Sequence, residues 1–437
     1  MVRDDAVFSD DFVQRPYWWD AAPPETCLEA LPTEVDVAIV GSGYAGLNAA
    51  IELARHGRRV VVLDADELGS GASTRTGGMV SSGQKLVVGG AIKGIAPELF
   101  QRMIEDSIAS FAFIQQLVEE QKLDADLEIK GRYFGAHAAS HLPRLYQMGD
   151  ILARVTGVKV HRFNRDDQHQ VIGSDYYHGG ILVDDYGGLH PAKYHRALRE
   201  LARRHGAELR SHARVLEIKP ASRGKVVITQ RGAIEAREVL VCTNGYTDAT
   251  PTPSLARRVV PVRSYQIATE PLPPELIERL VPGGRMITDS RRDLIYSRPS
   301  PDGSRLLFGS RPGLYEIDER QAALKLRARM LEVWPELADY RLSHAWSGKV
   351  AMTVDKTAHV GTMDEAHYAL GCNGNGVALM SWLGYRLAQK LLESAPRPLS
   401  FDREKFQRLP FYDGRPWFLP LASGWYRLRD GIERRWR

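Results

Sequence analysis

Across 35–64 the chain reads VDVAIVGSGYAGLNAAIELARHGRRVVVLD. The apolar run 35–40 predicts a buried strand, the spacing to about His56 an amphipathic helix, and 59–63 a second strand that ends on an acid, Asp64. Gly41, Gly43 and Gly46 stand where the first strand meets the helix. Further along, 97–122 and 140–155 have helical spacing, with a strand-like run at 127–138 between them. A helix is predicted over 189–205, with Pro191 in its first turn and Gly206 at its end. The stretches 212–220, 225–230 and 238–246 alternate like strands, and the last closes on Thr243, Asn244 and Gly245. Period two dominates 258–352, which predicts a mixed or antiparallel sheet broken by one helix at 317–333. The segment 367–392 then repeats the opening order of strand, glycine turn and helix.

The first of these units is a dinucleotide-binding start. Gly41 permits a tight turn, Gly43 lets the backbone approach a pyrophosphate, and Gly46 lets the helix pack closely on the strand. Peptide N–H groups of Tyr44 and Ala45 and the positive end of the helix dipole then face the phosphates. Asp64, with Ala65 beside it, lies where a carboxylate can hydrogen-bond the ribose hydroxyls, and its charge disfavours a 2′-phosphate and hence NADP. This fingerprint leaves FAD and NAD open. The second turn, Gly374, Asn375, Gly376 and Val377, tips the balance toward flavin, because a helix N-terminus there can stabilise negative charge on a reduced isoalloxazine. Residues 66–84 are crowded with Gly, Ser and Thr, a composition suited to wrapping a ligand. Ser73, Thr74 and Arg75 are its expected donors, with Gly77, Gly78 and Met79 following. Val215 is expected to meet adenine through its backbone.

The expected fold is α/β, α+β overall: a Rossmann-type FAD-binding domain interwoven with a mixed or antiparallel-sheet substrate domain. The first comprises 35–95, 185–257 and 353–395, the second 96–184 and 258–352. Residues 1–34, with Tyr17, Trp18 and Trp19 before Pro23 and Pro24, form an arm whose aromatics pack on the body or line an entrance. Residues 396–437 form a C-terminal extension.

Composition narrows the partners. The chain has 437 residues, 43% hydrophobic and 26% charged, with net charge +4, which makes a soluble globular protein with no nucleic-acid signature. Cys27, Cys242 and Cys372 have no paired or metal-binding spacing, so no metal is expected, His344 and His359 read as ordinary polar positions, and the compartment is expected to be the cytoplasm. The opening MVRDDAVFSDDF has no apolar signal core. Near the end, Trp425, Leu428, Ile432 and Trp436 share one helical face, with Arg427, Arg429, Arg434 and Arg435 around it. This helix can dock on the body or, through 425–437, touch an anionic membrane peripherally.

Taken together, YWWDAAPP, GSGYAG, GASTRTGGM, VLVCTNGYT, WSGKVAMTVDKTAHVG, GCNGNGVALMSWLG and PFYDGRPWFLP resemble the D-amino-acid oxidase superfamily of FAD enzymes. The group is that of glycine and sarcosine oxidases, and the branch most similar is that of γ-glutamylputrescine oxidoreductase-like proteins. The resemblance spans nearly the whole chain and implies oxidation of a C–N bond. In monomeric sarcosine oxidases a cysteine holds FAD covalently, but Gly348 occupies that position here, so FAD is expected to be non-covalent. Their lysine in the second glycine turn is matched by Ala378 and their substrate arginine by Gly78, with Arg75 nearby, so sarcosine is not the expected substrate.

Amine oxidation by flavin requires a neutral amine, a hydride leaving the α-carbon, and a site that excludes stray water. Candidates on the covering sheet are Arg298 to clamp a carboxylate, Tyr296 to bracket it, Trp346 to stack on substrate or flavin, and Lys349 to assist oxygen reduction. Tyr265 is a further sheet side chain that could reach the site. The expected reaction converts a small-molecule amine, an amino acid or polyamine conjugate, to an imine with O2 reduced to H2O2. Two other readings stay open: a membrane-peripheral dehydrogenase that passes electrons to quinone, and a flavin-binding subunit without catalysis.

Overall fold

The computed structural model describes residues 6–88, 95–312, 315–403, 405–414 and 416–435. Its first sheet is built on Glu34–Val40, which pairs in parallel with Val60–Leu63 on one side and Gly232–Val241 on the other. Glu208–Arg210 continues the sheet beyond Val60–Leu63, and Ala366–Leu370 lies parallel to the end of Gly232–Val241. Parallel strands covered on both faces need apolar side chains on both, so Val60–Leu63 is buried throughout and shows no alternation. The two neighbours of Glu34–Val40 lead away in opposite directions, which opens a crevice at its carboxyl end, beside Gly41. Helix Tyr44–Arg55 packs between Pro191–Arg204 and Gly376–Leu391.

The second sheet has nine strands, in the order Phe8–Val13, Leu342–Met352, Val260–Thr269, Leu306–Ser310, Tyr296–Pro299, Met286–Asp289, Arg132–Gly135, Gly180–Val183 and Val160–Phe163. Val260–Thr269 and Leu342–Met352, next to the Phe8–Val13 edge, form its longest antiparallel pair. Helix Glu319–Val333 covers one face, burying Ala323, Leu326 and Met330. The sheet is mixed because its first strand and the Arg132–Gly135 pair with Met286–Asp289 run parallel to their partners.

Three elements were not expected from periodicity. Phe8–Val13 has a burial pattern that is buried at one end and open at the other, typical of an edge strand. Val160–Phe163 and Gly180–Val183 are four residues each, too short for alternation to register. In the arm, Trp18 is fully buried against Trp346, with the His190 ring 4.9 Å away, so Trp18 serves packing, while Tyr17 and Trp19 are partly exposed.

The tail helix Leu419–Arg435 docks on the body. Asp430 accepts hydrogen bonds from the Arg292 and Asp293 backbone N–H groups and from the Arg292 side chain. Glu433 accepts two more from Arg292 and approaches His141 at 3.0 Å. Trp436 lies outside the described residues. The Arg292 guanidinium holds the Glu433 carboxyl at about 2, below its ordinary 4.5. A carboxyl depressed in the folded state stabilises the dock above its ordinary value and loses that contribution as pH falls through the lower one. The tail is therefore expected to release as pH drops from about 4.5 to about 2. Limited proteolysis across that range checks it, and Glu433→Gln should flatten the dependence.

Candidate active site

The site begins at the crevice. Gly41 has φ +103° and donates its N–H to the Leu63 carbonyl, joining the turn to the neighbouring strand. Asp64 caps the same turn, because its Oδ2 accepts from the Ser42 N–H at 2.9 Å and from Ser42 Oγ at 2.5 Å. Burial raises the Asp64 pKa while these bonds oppose the rise. The Asp64 carbonyl accepts from the Ala213 N–H at 2.7 Å, which brings the start of strand Val215–Pro220 alongside Asp64 and Ala65.

Glycines here fall into two spatial classes. A Cβ at Gly46 would lie 2.0 Å from the Gly41 carbonyl oxygen and one at Gly78 2.2 Å from that of Leu189, so these positions face protein. A Cβ at Gly43 would meet only Ser73 Oγ, at 3.1 Å, and one at Gly374 nothing closer than 3.8 Å. At those two the neighbour is the end of a side chain, Ser73 Oγ or Lys85 Nζ, and not fixed backbone, so each can yield to a dinucleotide.

The Gly/Ser/Thr loop is clamped from both sides. Tyr44 donates its N–H to Ser73 Oγ at 3.2 Å and its hydroxyl to the Ser73 carbonyl at 2.5 Å. Thr74 Oγ1 accepts from Trp19 Nε1 at 2.9 Å. Arg75 donates to the carbonyls of Ser70 and Ser347, and its guanidinium stacks 4.6 Å over the Trp19 ring. Met79 begins a short strand paired with Gly188.

All four candidate side chains of the covering sheet converge on the expected cofactor segments. Trp346 Nε1 donates to the Arg75 carbonyl at 2.9 Å, where Gln266 also donates. The Tyr296 ring lies 3.3 Å from where a Cβ on Gly77 would stand, and its hydroxyl is 3.0 Å from Ser264 Oγ. Arg298 donates to the carbonyls of Pro299 and Leu189, and Leu189 in turn donates its N–H to the Gly78 carbonyl. Lys349 holds its ammonium 5.3 Å from the Tyr246 ring centre, and its carbonyl lies 3.0 Å from where a Cβ on Gly245 would be. Trp346 is 1% and Arg298 2% exposed, so their contacts are with the loop they brace. Tyr265 is directed elsewhere, its hydroxyl bonded to the Ile317 carbonyl and N–H.

The second glycine turn is tied to the first sheet by Asn244, whose Oδ1 accepts from the N–H groups of Gly371 and Cys372. Gly374 adopts φ +83°, and helix Gly376–Leu391 starts directly after Asn375. Beside this turn is a small pocket, lined by Lys85, Ser107, Lys356, Cys372, Asn373 and Asn375 among others. Lys85 points its ammonium toward Gly374. Burial, and then the charges of Arg132 and Arg311, lower the Lys85 pKa to about 8. Burial raises Tyr296 to about 12, against the pull of Ser264 and Arg311. The charge of Arg311 thus bears on both Tyr296, on the sheet side, and Lys85, on the turn side. Lys85 was not among the residues expected from sequence. The available signal was a lone cation directly after a run of glycine, serine and threonine, and it is a weak one.

Replacing Asp64 with alanine removes a carboxylate that orders the turn and is placed to meet a ribose. Dinucleotide affinity is expected to fall about tenfold, the worth of one to two hydrogen bonds, as titration of the apoprotein with FAD would measure. An unchanged affinity would remove Asp64 from the site.

The chain is similar to known proteins over nearly its whole length. The family described as FAD dependent oxidoreductase matches residues 36–390. A probable oxidoreductase OrdL of Rhizobium meliloti (strain 1021) is 32% identical over 425 residues, covering 94% of this chain and 97% of that protein. The gamma-glutamylputrescine oxidoreductase of Escherichia coli (strain K12) is 27% identical over 418 residues, covering 94% and 96%. Among solved structures, glycine oxidase from Geobacillus kaustophilus superposes with a TM-score of 0.71 at 22% identity, covering 87% of this chain and 99% of that one.

Proposed function

This chain belongs to the family of FAD-dependent oxidoreductases, and from that membership we propose that it oxidises the C–N bond of a primary or secondary amine bearing a carboxylate. The substrate class is an amino acid or an acylated polyamine, in line with the named activities of its gamma-glutamylputrescine oxidoreductase and glycine oxidase relatives. FAD is its cofactor. The cradle fits it: Gly41, Gly43, Asp64 and the Ser73–Arg75 segment would hold the adenosine diphosphate portion, and the turn at Gly374 the flavin. Gly348 in place of a cysteine leaves the cofactor non-covalent. FAD, when bound, takes up the hydride.

The observation that carries this reading is the cationic space between Lys85, Arg132, Arg311 and the second glycine turn. An amine must be neutral before its α-carbon can release hydride, and neighbouring positive charge lowers the pKa of any amine placed there. Lys85, itself a primary amine, is lowered first by burial and then by the charges of Arg132 and Arg311, and an amine held beside it would be driven toward its neutral form by the same two causes. The same field attracts a substrate carboxylate. Tyr296, on the sheet side, borders the reacting end, while Trp346 and Arg298 hold the 75–78 loop in position. Lys349 supplies a further cation near the turn at Gly245, suited to assisting oxygen reduction to H2O2.

The protein works in the cytoplasm, where its three cysteines, all buried and unpaired, remain thiols. Among the described residues no helix is long and apolar enough to cross a membrane. The test is anaerobic bleaching of the flavin by a panel of γ-glutamyl polyamines, N-alkyl amino acids and cyclic imino acids. Peroxide release in air then separates oxygen from quinone as acceptor. FAD-loaded protein that none of these amines reduces would end the proposal.

A further inference from the structure

Docking consumes only one side of the tail helix. Along Leu419–Arg435 the side chains of Leu421, Trp425, Leu428 and Ile432 recur every three or four residues and are 73%, 57%, 56% and 46% exposed. Folding ordinarily buries such a stripe, and here the chain leaves it outside. It does not stand alone. Seven of the fourteen exposed large apolar side chains among the described residues fall within 411–432, Phe411 and Trp417 included. That concentration makes a patch of the kind that marks an interaction surface.

The polar groups identify the partner. Both carboxylates of the helix, Asp430 and Glu433, turn inward to Arg292, so the outward face has no acid and carries Arg429 beside the apolar stripe. Residues 403–437 hold nine basic and four acidic side chains, a net of +5 against +4 for the whole chain, which leaves the remainder at −1. The positive excess of the protein therefore resides in its tail. Tryptophan and tyrosine next to arginine, on a face without carboxylates, is the composition that settles at the headgroup boundary of an anionic bilayer. A second copy of the chain would instead bring like charges together across the contact.

We propose that the outward face of Leu419–Arg435 binds reversibly to anionic lipid surfaces, placing this oxidoreductase on the membrane without spanning it. The inference rests on the tail alone and is independent of the substrate. The helix also links surface to site: Arg427 donates to the Arg311 carbonyl at 2.7 Å, and Arg311 is one of the cations acting on Lys85.

Flotation of the FAD-loaded full chain with vesicles of phosphatidylglycerol and phosphatidylcholine, against phosphatidylcholine alone, tests it. Binding to the anionic vesicles is expected to be at least about tenfold stronger and to weaken in high salt. The double substitution Trp425→Ser, Leu428→Ser should abolish it with flavin content and amine turnover intact. Arg429→Gln, which removes a positive charge and can still donate to Glu433 of the same helix, should weaken it about fivefold and serves if the double variant folds poorly. Absence of wild-type binding to either vesicle overturns the proposal, as does binding indifferent to these substitutions. A stable dimer in light scattering that the double variant dissociates, without vesicle binding, would assign the face to a second copy.

Discussion

Substitution of Gly384 by valine is expected to yield protein that emerges colourless. A Cβ at Gly384 would stand 2.0 Å from the carbonyl oxygen of Ala45 and 2.7 Å from its Cα, and the atoms it meets are backbone of a buried helix that cannot swing aside. Helices Tyr44–Arg55 and Gly376–Leu391 must then separate. They are the two helices whose N-termini form the glycine turns, so one displacement disturbs both ends of the FAD cradle. Overpacking of this kind costs about 1–3 kcal/mol or more, and in close-packed interiors the strain is transmitted. Gly384→Ala should show the same loss in milder form. Gly431→Ala, where a Cβ meets nothing within 4 Å, is the control and should be neutral or slightly stabilising. Flavin absorbance relative to protein absorbance, with the urea midpoint, reads the result. A fully yellow Gly384→Val enzyme would refute the helix contact as a determinant of cofactor binding.

Exchanging Lys85 for methionine is expected to slow flavin reduction by amine about 100-fold, or about 2.7 kcal/mol, with FAD retained. The neutral side chain keeps much of the volume and removes the charge nearest the second glycine turn. Lys85→Arg should recover part of the rate. The charge of Lys85 is present below about pH 8 and lost above it, so the gap between wild type and variant should narrow as pH rises past that value. Stability supplies a second check. The folded-state pKa lies below the ordinary 10.5, so the unfolded chain binds more protons between the two values and wild-type stability rises with pH across that window. Lys85→Met should lose this rise. A reduction rate within twofold of wild type would remove Lys85 from the mechanism.

How much of this was legible beforehand depends on how local the cause is. The turn at Gly41 to Gly46, its flanking strands and Asp64 follow from spacing within thirty residues; they left FAD and NAD open, and the FAD-dependent family to which the chain belongs agrees with the second glycine turn, which favoured flavin. The long antiparallel pair Val260–Thr269 and Leu342–Met352 was expected from alternation, although both faces are buried over 265–269 and 342–347. Four-residue strands such as Val160–Phe163 had no such signal. The sheet side chains Trp346 and Arg298 were chosen by residue type alone. Their direction depends on which loop crosses the sheet face, and that loop is contributed by residues about 200 positions or more away.

Sequence by itself determined the longer elements and the dinucleotide turn, since these rest on periodicity, on glycine stereochemistry and on an acid at a set distance along one strand, while the expected C–N chemistry was implied by the resemblance to a family. Tertiary structure alone decided that Lys85, Arg132 and Arg311 share a space and that the tail docks its acids while presenting its apolar stripe. Charge and burial act through distance in space, and only the folded chain sets those distances.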